Sequence, residues 1–165
     1  MTWTTPTTWS AAQVVTATQL NEQLRDNLNY LISRPHGRVL HTAASNYTTS
    51  SPSFADIDPT NLSLSLTLSG SAVLVGFSGL VETGSGVMAC FDLSVDGVRF
   101  TAAPHGLVAP YILAGVPRWP VSYTVLVVGL TVGSHVFGPM WCAVGGSITL
   151  FAVSNPVSFW ALEVA

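Results

Sequence analysis

The hydrophobic pattern of the chain changes period once. Ahead of the change, Leu20, Leu24, Leu28 and Leu31 are spaced by four, four and three residues and share one face of a helix. Thr16-Ala17-Thr18-Gln19 has the form of a capping box, in which the threonine oxygen accepts from the backbone N–H three residues on and Gln19 reaches back. Pro35 disfavours helical geometry at Arg34. These signals predict a helix over 16–34, about 27 Å long. A helix of that size is marginal alone in water, so its leucines need a covering surface.

From Val39 onward the period is two. NLSLSLTLSG (61–70) places Leu62, Leu64, Leu66 and Leu68 on one side and Ser63, Ser65 and Thr67 on the other, a half-buried strand. Further strands are expected at 72–81, 86–95, 121–130, 135–144, 147–153 and 157–164. Asp96-Gly97 is a strong two-residue hairpin signal, and Gly145-Gly146 and Ser154-Asn155-Pro156 mark other turns. Pro104, Pro110, Pro117 and Pro120 make 101–120 a long loop or a broken edge strand. About eight short strands at this spacing predict a mainly β fold, an antiparallel jelly-roll sandwich. The layout is an extended arm over 1–15, a helix over 16–34 and a β-sandwich head over 35–165.

Charge alters this picture. Only 8% of the 165 residues are Asp, Glu, Lys or Arg, against roughly 25% in ordinary soluble proteins, and there is no lysine. Mean hydropathy is +0.49. The most apolar run, 121–137, contains Ser, Thr, Gly and His and falls short of the roughly 20 apolar residues of a spanning helix. Membrane insertion is therefore not expected. Coverage of the sheet surface by sister subunits accounts for the missing charge. The arm carries Trp3, Pro6 and Trp9 among threonines. Each tryptophan buries on the order of 200 Å², so the arm docks on its own domain or on another surface.

A net charge of −3 with five scattered arginines gives no basic stripe for nucleic acid. The first residues lack the basic and apolar regions of a secretory signal, so Cys90 and Cys142 are expected as reduced, small core residues.

The catalytic inventory is thin. Gly84-Ser85-Gly86-Val87-Met88-Ala89 fits a dinucleotide fingerprint in letters, but it opens a strand-like stretch and not a helix. Gly76-Phe77-Ser78-Gly79 has its second glycine one residue too early for a nucleophile elbow. Of the four histidines, His36, His41, His105 and His135, the first two are five apart with no carboxylate or cysteine at ligand spacing, and all four read as exposed or loop residues. Asp56 with Asp58, and Asp92 with Asp96, read as turn chemistry before acid–base pairs. No catalytic residue, metal or cofactor is expected, and the chain reads as a structural or binding protein. As a binder, it has aromatic loop candidates in Tyr111, Trp119 and Tyr123, which are equally plausible as subunit-contact core.

Residues 2–31, TWTTPTTWSAAQVVTATQLNEQLRDNLNYL, resemble the N-terminal segment of a group of tailed-bacteriophage and prophage virion structural proteins. The matching positions are Trp3, Pro6, Trp9, Val15, Thr16, Leu20, Asn21, Arg25, Asp26, Asn27, Tyr30 and Leu31. FADIDPTNLSLSL, VLVGFSG, FDLSVDGVR, GLTVGSHVF and FWALEV are similar to tumour-necrosis-factor-like trimeric jelly-roll heads. The resemblance implies a homotrimeric, non-enzymatic virion component assembled in the bacterial host cytoplasm, as a capsid decoration or head fibre, or as a tail fibre. It implies attachment to another virion protein, capsid or tail, through Trp3, Pro6, Trp9, Leu20, Leu24, Leu28 and Leu31. The leucines would pack about a threefold axis or lie on the partner. The alternative is a head that binds a host-surface receptor or glycan.

Overall fold

The computed structural model describes residues 4–112 and 118–164. Trp3 lies outside the described residues. The chain divides into two compact units, Met1–Pro35 and His36–Ala165.

In the first unit an extended arm leads to a helix that begins where the capping box predicts. The Thr16 hydroxyl accepts from the Gln19 N–H, and the Gln19 side chain accepts from the Thr16 N–H at 2.9 Å. The helix starts as α1 (Ala17–Leu20) and ends as α2 (Asn27–Ile32), before Pro35. Between them, Asn21–Asp26 is wound as a π-helix. The letter pattern does not reveal this widening. The wider turn holds more residues than an α-turn, so leucines spaced by four stay on nearly one side.

The second unit is mainly β. Its strands are β1 (His36–His41), β2 (Tyr47–Thr49), β3 (Ala55–Asp56), β4 (Leu64–Leu68), β5 (Ala72–Thr83) and β6 (Val87–Val95). They continue as β7 (Val98–Arg99), β8 (Tyr111–Ile112), β9 (Arg118–Val128), β10 (Gly133–Val144), β11 (Ile148–Phe151) and β12 (Val157–Glu163). All pair antiparallel, in two sheets. In the first sheet β5 pairs β9 along one side, and β12 and then β11 along the other, with β1 and β2 outside those two. In the second, β10 lies between β6 and the pair β4 and β3, while β7 and β8 extend β6. The pairing is nested: β1 with β12, β4 with β10, β5 with β9, β6 with β7.

One core draws on both sheets. Phe77 and Phe159 of the first and Phe91 and Phe137 of the second are wholly buried, joined by Leu62, Leu68, Leu93, Ile148 and Leu150. Burying each such side chain contributes about 1.5–3 kcal/mol before entropy is subtracted. The alternation at 61–70 holds: Leu62, Leu66 and Leu68 are buried, while Ser65 and Thr67 are exposed. Asp96 and Gly97 have φ of 53° and 77°, the left-handed pair that a tight hairpin turn demands. Gly86 turns the chain between β5 and β6 at φ 73°, and a strand follows it, so no helix N-terminus exists there to hold a pyrophosphate.

The proline-rich stretch is both loop and edge. Gly106 and Val108 bridge to Phe91, and β8 contributes two residues. Residues 99–103 close over the outer side of β6 near Asp92, which explains why an outward-facing carboxylate is fully buried.

Candidate functional site

In the N-terminal unit the helix uses polar side chains to hold the arm. The Asn27 amide oxygen accepts from the Thr4 N–H at 2.9 Å, and its nitrogen donates to the Thr4 carbonyl at 2.9 Å and to the Gln23 carbonyl at 3.3 Å. Gln23 Oε1 accepts from the Thr7 N–H at 2.8 Å. Gln23 and Asn27 are one turn apart, so the arm runs along the side of the helix that carries them. Asn27 is the one buried residue of this helix.

The leucine stripe is left open. Leu20, Leu24, Leu28 and Leu31 are 47%, 56%, 56% and 49% exposed, and Ile32 at the helix end is 78% exposed. Pro6 is exposed on the arm and Trp9 is 38% exposed. Sequence reasoning found the stripe but missed Gln23 and Asn27. The available signal was an amide pair at i, i+4 beside a leucine row.

The β unit has two unlike outer faces. On the first sheet, Arg38, Trp160, Gly76 and Thr124 lie in register across four strands, and His36, Leu162, Leu74 and Leu126 form the next row. Leu40, Leu126, Val128 and Leu162 are exposed there. The Trp160 indole lies against Gly76 so closely that a Cβ on residue 76 would sit 2.3 Å from the ring. Only glycine permits that approach. At the other end of the face Arg118 pairs with Glu82 at 2.9 Å and covers the Phe151 ring at 4.0 Å. The second sheet shows Ser65, Thr67 and Ser134 outward beside the exposed Val136 and Val144, with the hydroxyls of Ser65 and Ser134 3.3 Å apart.

Of the aromatic candidates, Tyr111 and Trp119 are about half exposed, flanking residues 113–117, which lie outside the described residues. Tyr123 is different. Its ring stacks on Phe77 at 5.5 Å, and its hydroxyl donates to the Asp92 carbonyl at 3.0 Å. Tyr123 is buried on the core side of β9, where it packs within the unit.

Most of the remaining polar groups have structural partners, while the Thr83 hydroxyl is buried without one among the described residues. Asp92 accepts from Arg99 Nε at 2.7 Å, from the Thr101 hydroxyl at 2.9 Å and from the Leu93 N–H at 2.8 Å. Arg99 also donates to the Ala103 carbonyl and covers the Phe54 ring at 3.7 Å. Glu163 is wholly buried and accepts from the Ser69 N–H and hydroxyl. Cys90 and Cys142 are register partners on β6 and β10, both free and buried. Burial, reinforced by the neighbouring Cys142, pushes the Cys90 thiol up to about 12, far from a reactive thiolate. His105 approaches Cys90 Sγ at 3.9 Å.

His135 sits between two acceptors, the Asp96 carboxylate at 2.7 Å from Nδ1 and the Thr131 carbonyl at 2.8 Å from Nε2. Those bonds favour the charged imidazolium and raise its pKa, while Asp96 is lowered by the Val136 N–H and by His135. Asp58 works against its partial burial through hydrogen bonds from Tyr47, Asn61 and Thr60, which hold it at about 2.

Among the described residues no group of three or more His, Cys, Asp or Glu side chains is placed to hold a metal ion. No described helix is long and apolar enough to cross a membrane. No protein-family model matches this chain, and no curated protein matches it.

Proposed function

We propose that this chain is a non-enzymatic structural protein of a bacteriophage virion. It attaches through its N-terminal arm and helix and displays a homotrimeric jelly-roll head, as a capsid decoration or head fibre or as a tail fibre. The observation that carries the reading is the leucine stripe of Leu20, Leu24, Leu28 and Leu31, open to solvent on a helix whose polar side already holds the arm. Leucines in such a row are stabilised by a partner surface at about 25 cal/mol per Å² covered. Pro6 and Trp9 on the arm would join that contact, with Trp3 preceding them.

The nested strand pairing supports a jelly roll, since rolling one long hairpin brings first against last and second against second-to-last. The outer face of the first sheet supports self-association. It is four strands wide, and β9 runs 11 residues along it. That is on the order of 700 Å², close to the roughly 800 Å² each partner contributes to a standard interface. Its charges are few: Arg38 beside Trp160, and Arg118 already paired with Glu82.

The test is deletion of residues 1–35, assembled against the full chain. The shortened protein should remain folded and trimeric by light scattering but fail to join particles. Incorporation at normal occupancy would overturn the attachment role, and a monomer at high concentration would overturn the trimer. A second reading, a host-surface receptor or glycan-binding head, is favoured by the exposure of Tyr111 and Trp119. Retention of the protein on host envelopes, lost in Trp119→Ala, would decide for it.

A further inference from the structure

A small cavity of about 120 Å³ opens on the outer side of the second sheet, among Asp56, Leu62, Ser94, Val136, Gly138 and Pro139. Drug-sized sites run from roughly 300 Å³ upward, so the scale here is that of one side chain. Ser94 is 5% exposed, yet its hydroxyl has no hydrogen-bond partner among the described residues. Its oxygen is not one of the sealed, unpartnered polar atoms of the unit, so it opens on the cavity that Ser94 lines. Gly138 is its register partner on β10 and forms the floor. A Cβ built on Gly138 would meet nothing nearer than Asp56 Oδ1 at 3.8 Å and the Leu62 carbonyl oxygen at 3.9 Å. Three acceptors, the Asp56 carboxylate, the Leu62 carbonyl and the Ser94 hydroxyl, thus line a space that Asp58, Pro59, Ser63, Gly97, Val136 and Pro139 complete.

We infer that this cavity receives the end of a lysine side chain supplied by a partner protein. A primary ammonium offers three donors and one positive charge on an apolar stem, which matches three acceptors with one free carboxylate. The second carboxylate, Asp58, is already saturated by four hydrogen bonds, two from backbone N–H groups, one from Tyr47 and one from the Asn61 side chain. That leaves too few free anionic ligands for a divalent ion, which calls for six or more oxygens. The charged neighbours are engaged: Arg99 with Asp92, and Asp96 with His135 and the Val136 N–H. The occupant comes from outside, because the chain contains no lysine of its own. The site stands whatever particle the protein belongs to.

The test is an amide-resolved NMR titration of the full chain with Nα-acetyl-lysine methylamide. The uncharged norleucine analogue and calcium chloride are run in parallel. Shifts should concentrate at Ser63, Ser94, Gly97 and Gly138 and saturate in the millimolar range for the lysine analogue alone. Asp56→Asn removes the charge at an exposed position with no hydrogen bonds to lose. Gly138→Ala fills the floor without a clash, so the fold survives both. Each should weaken binding by about tenfold or more. Equal shifts with norleucine, calcium replacing the lysine analogue at these amides, no shift at all, or unaltered affinity in both variants would each overturn the inference.

Discussion

The two units of this chain distribute apolar and polar side chains in opposite senses. In the β unit Phe77, Phe91, Phe137 and Phe159 are inside, and the two buried carboxylates, Asp92 and Glu163, are each met by several donors. Among the described residues of the N-terminal unit the buried one is an amide, Asn27, and the leucines are outside. The β unit has finished its own core. The N-terminal unit is ordered by side-chain-to-backbone hydrogen bonds, each worth about 1 kcal/mol net, and keeps its hydrophobic surface uncommitted. Order is therefore held by different chemistry in the two units.

Mutations can break that contrast, beginning with the largest effect. Asp92→Ala strips a buried carboxylate from Arg99 and Thr101 and should cost about 3–5 kcal/mol in urea unfolding. A matched leucine pair follows. Leu93→Ala, in the core, should cost about 2–5 kcal/mol, whereas Leu24→Ala, half exposed, should change the stability of the isolated protein by less than about 0.5 kcal/mol. Under the proposed function the harmless substitution is the one that lowers particle occupancy, and equal behaviour of the two would erase the distinction drawn here. Gly76→Ala forces the Trp160 ring off the sheet. It should cost about 1–3 kcal/mol and shift tryptophan fluorescence. Asn27→Ala should cost about 1–2 kcal/mol, read locally as faster hydrogen exchange at Thr4 and Thr7 with the β unit unchanged.

The smallest effect is that of pH on His135. Its folded pKa is raised above the ordinary 6.5, so its stabilisation is complete below that value and is lost as the pH rises through the raised pKa. Asp96 has the opposite sign: its contribution is present above the ordinary 3.8 and is lost as the pH falls through its lowered value. The pair should thus support the turns joining β6 to β7 and β9 to β10 best at mildly acidic pH. In His135→Gln the loss of stability above neutral pH should flatten.

What was legible in the sequence was whatever depends on near neighbours. Leu62 to Leu68 gave a strand because burial on one face imposes period two. Asp96-Gly97 gave a turn because two left-handed residues in succession admit few side chains. Thr16 and Gln19 gave a cap because both partners lie within one turn. What escaped depends on distant segments. Asp92 faces outward by strand parity, and only the fold-back of residues 99–103 puts it inside. Tyr123 and Trp119 sit on the same side of β9, yet Tyr123 reaches Phe77 and Asp92 whereas Trp119, in register with Val81, stays half exposed. Gln23 and Asn27 gained meaning only when Thr4 and Thr7 came alongside.

The nested pairing has a practical consequence for engineering. His36, where the β unit receives the chain, is in register with Leu162, Leu74 and Leu126. Thr83 pairs with Ile148 at the opposite end of β5, beside the exposed Gly145-Gly146 turn. Nine residues of strand put those rows about 30 Å apart. A foreign epitope spliced in after Gly146 would ride at the rim farthest from the entry point, clear of the outer face built from Trp160, Leu162 and Leu126.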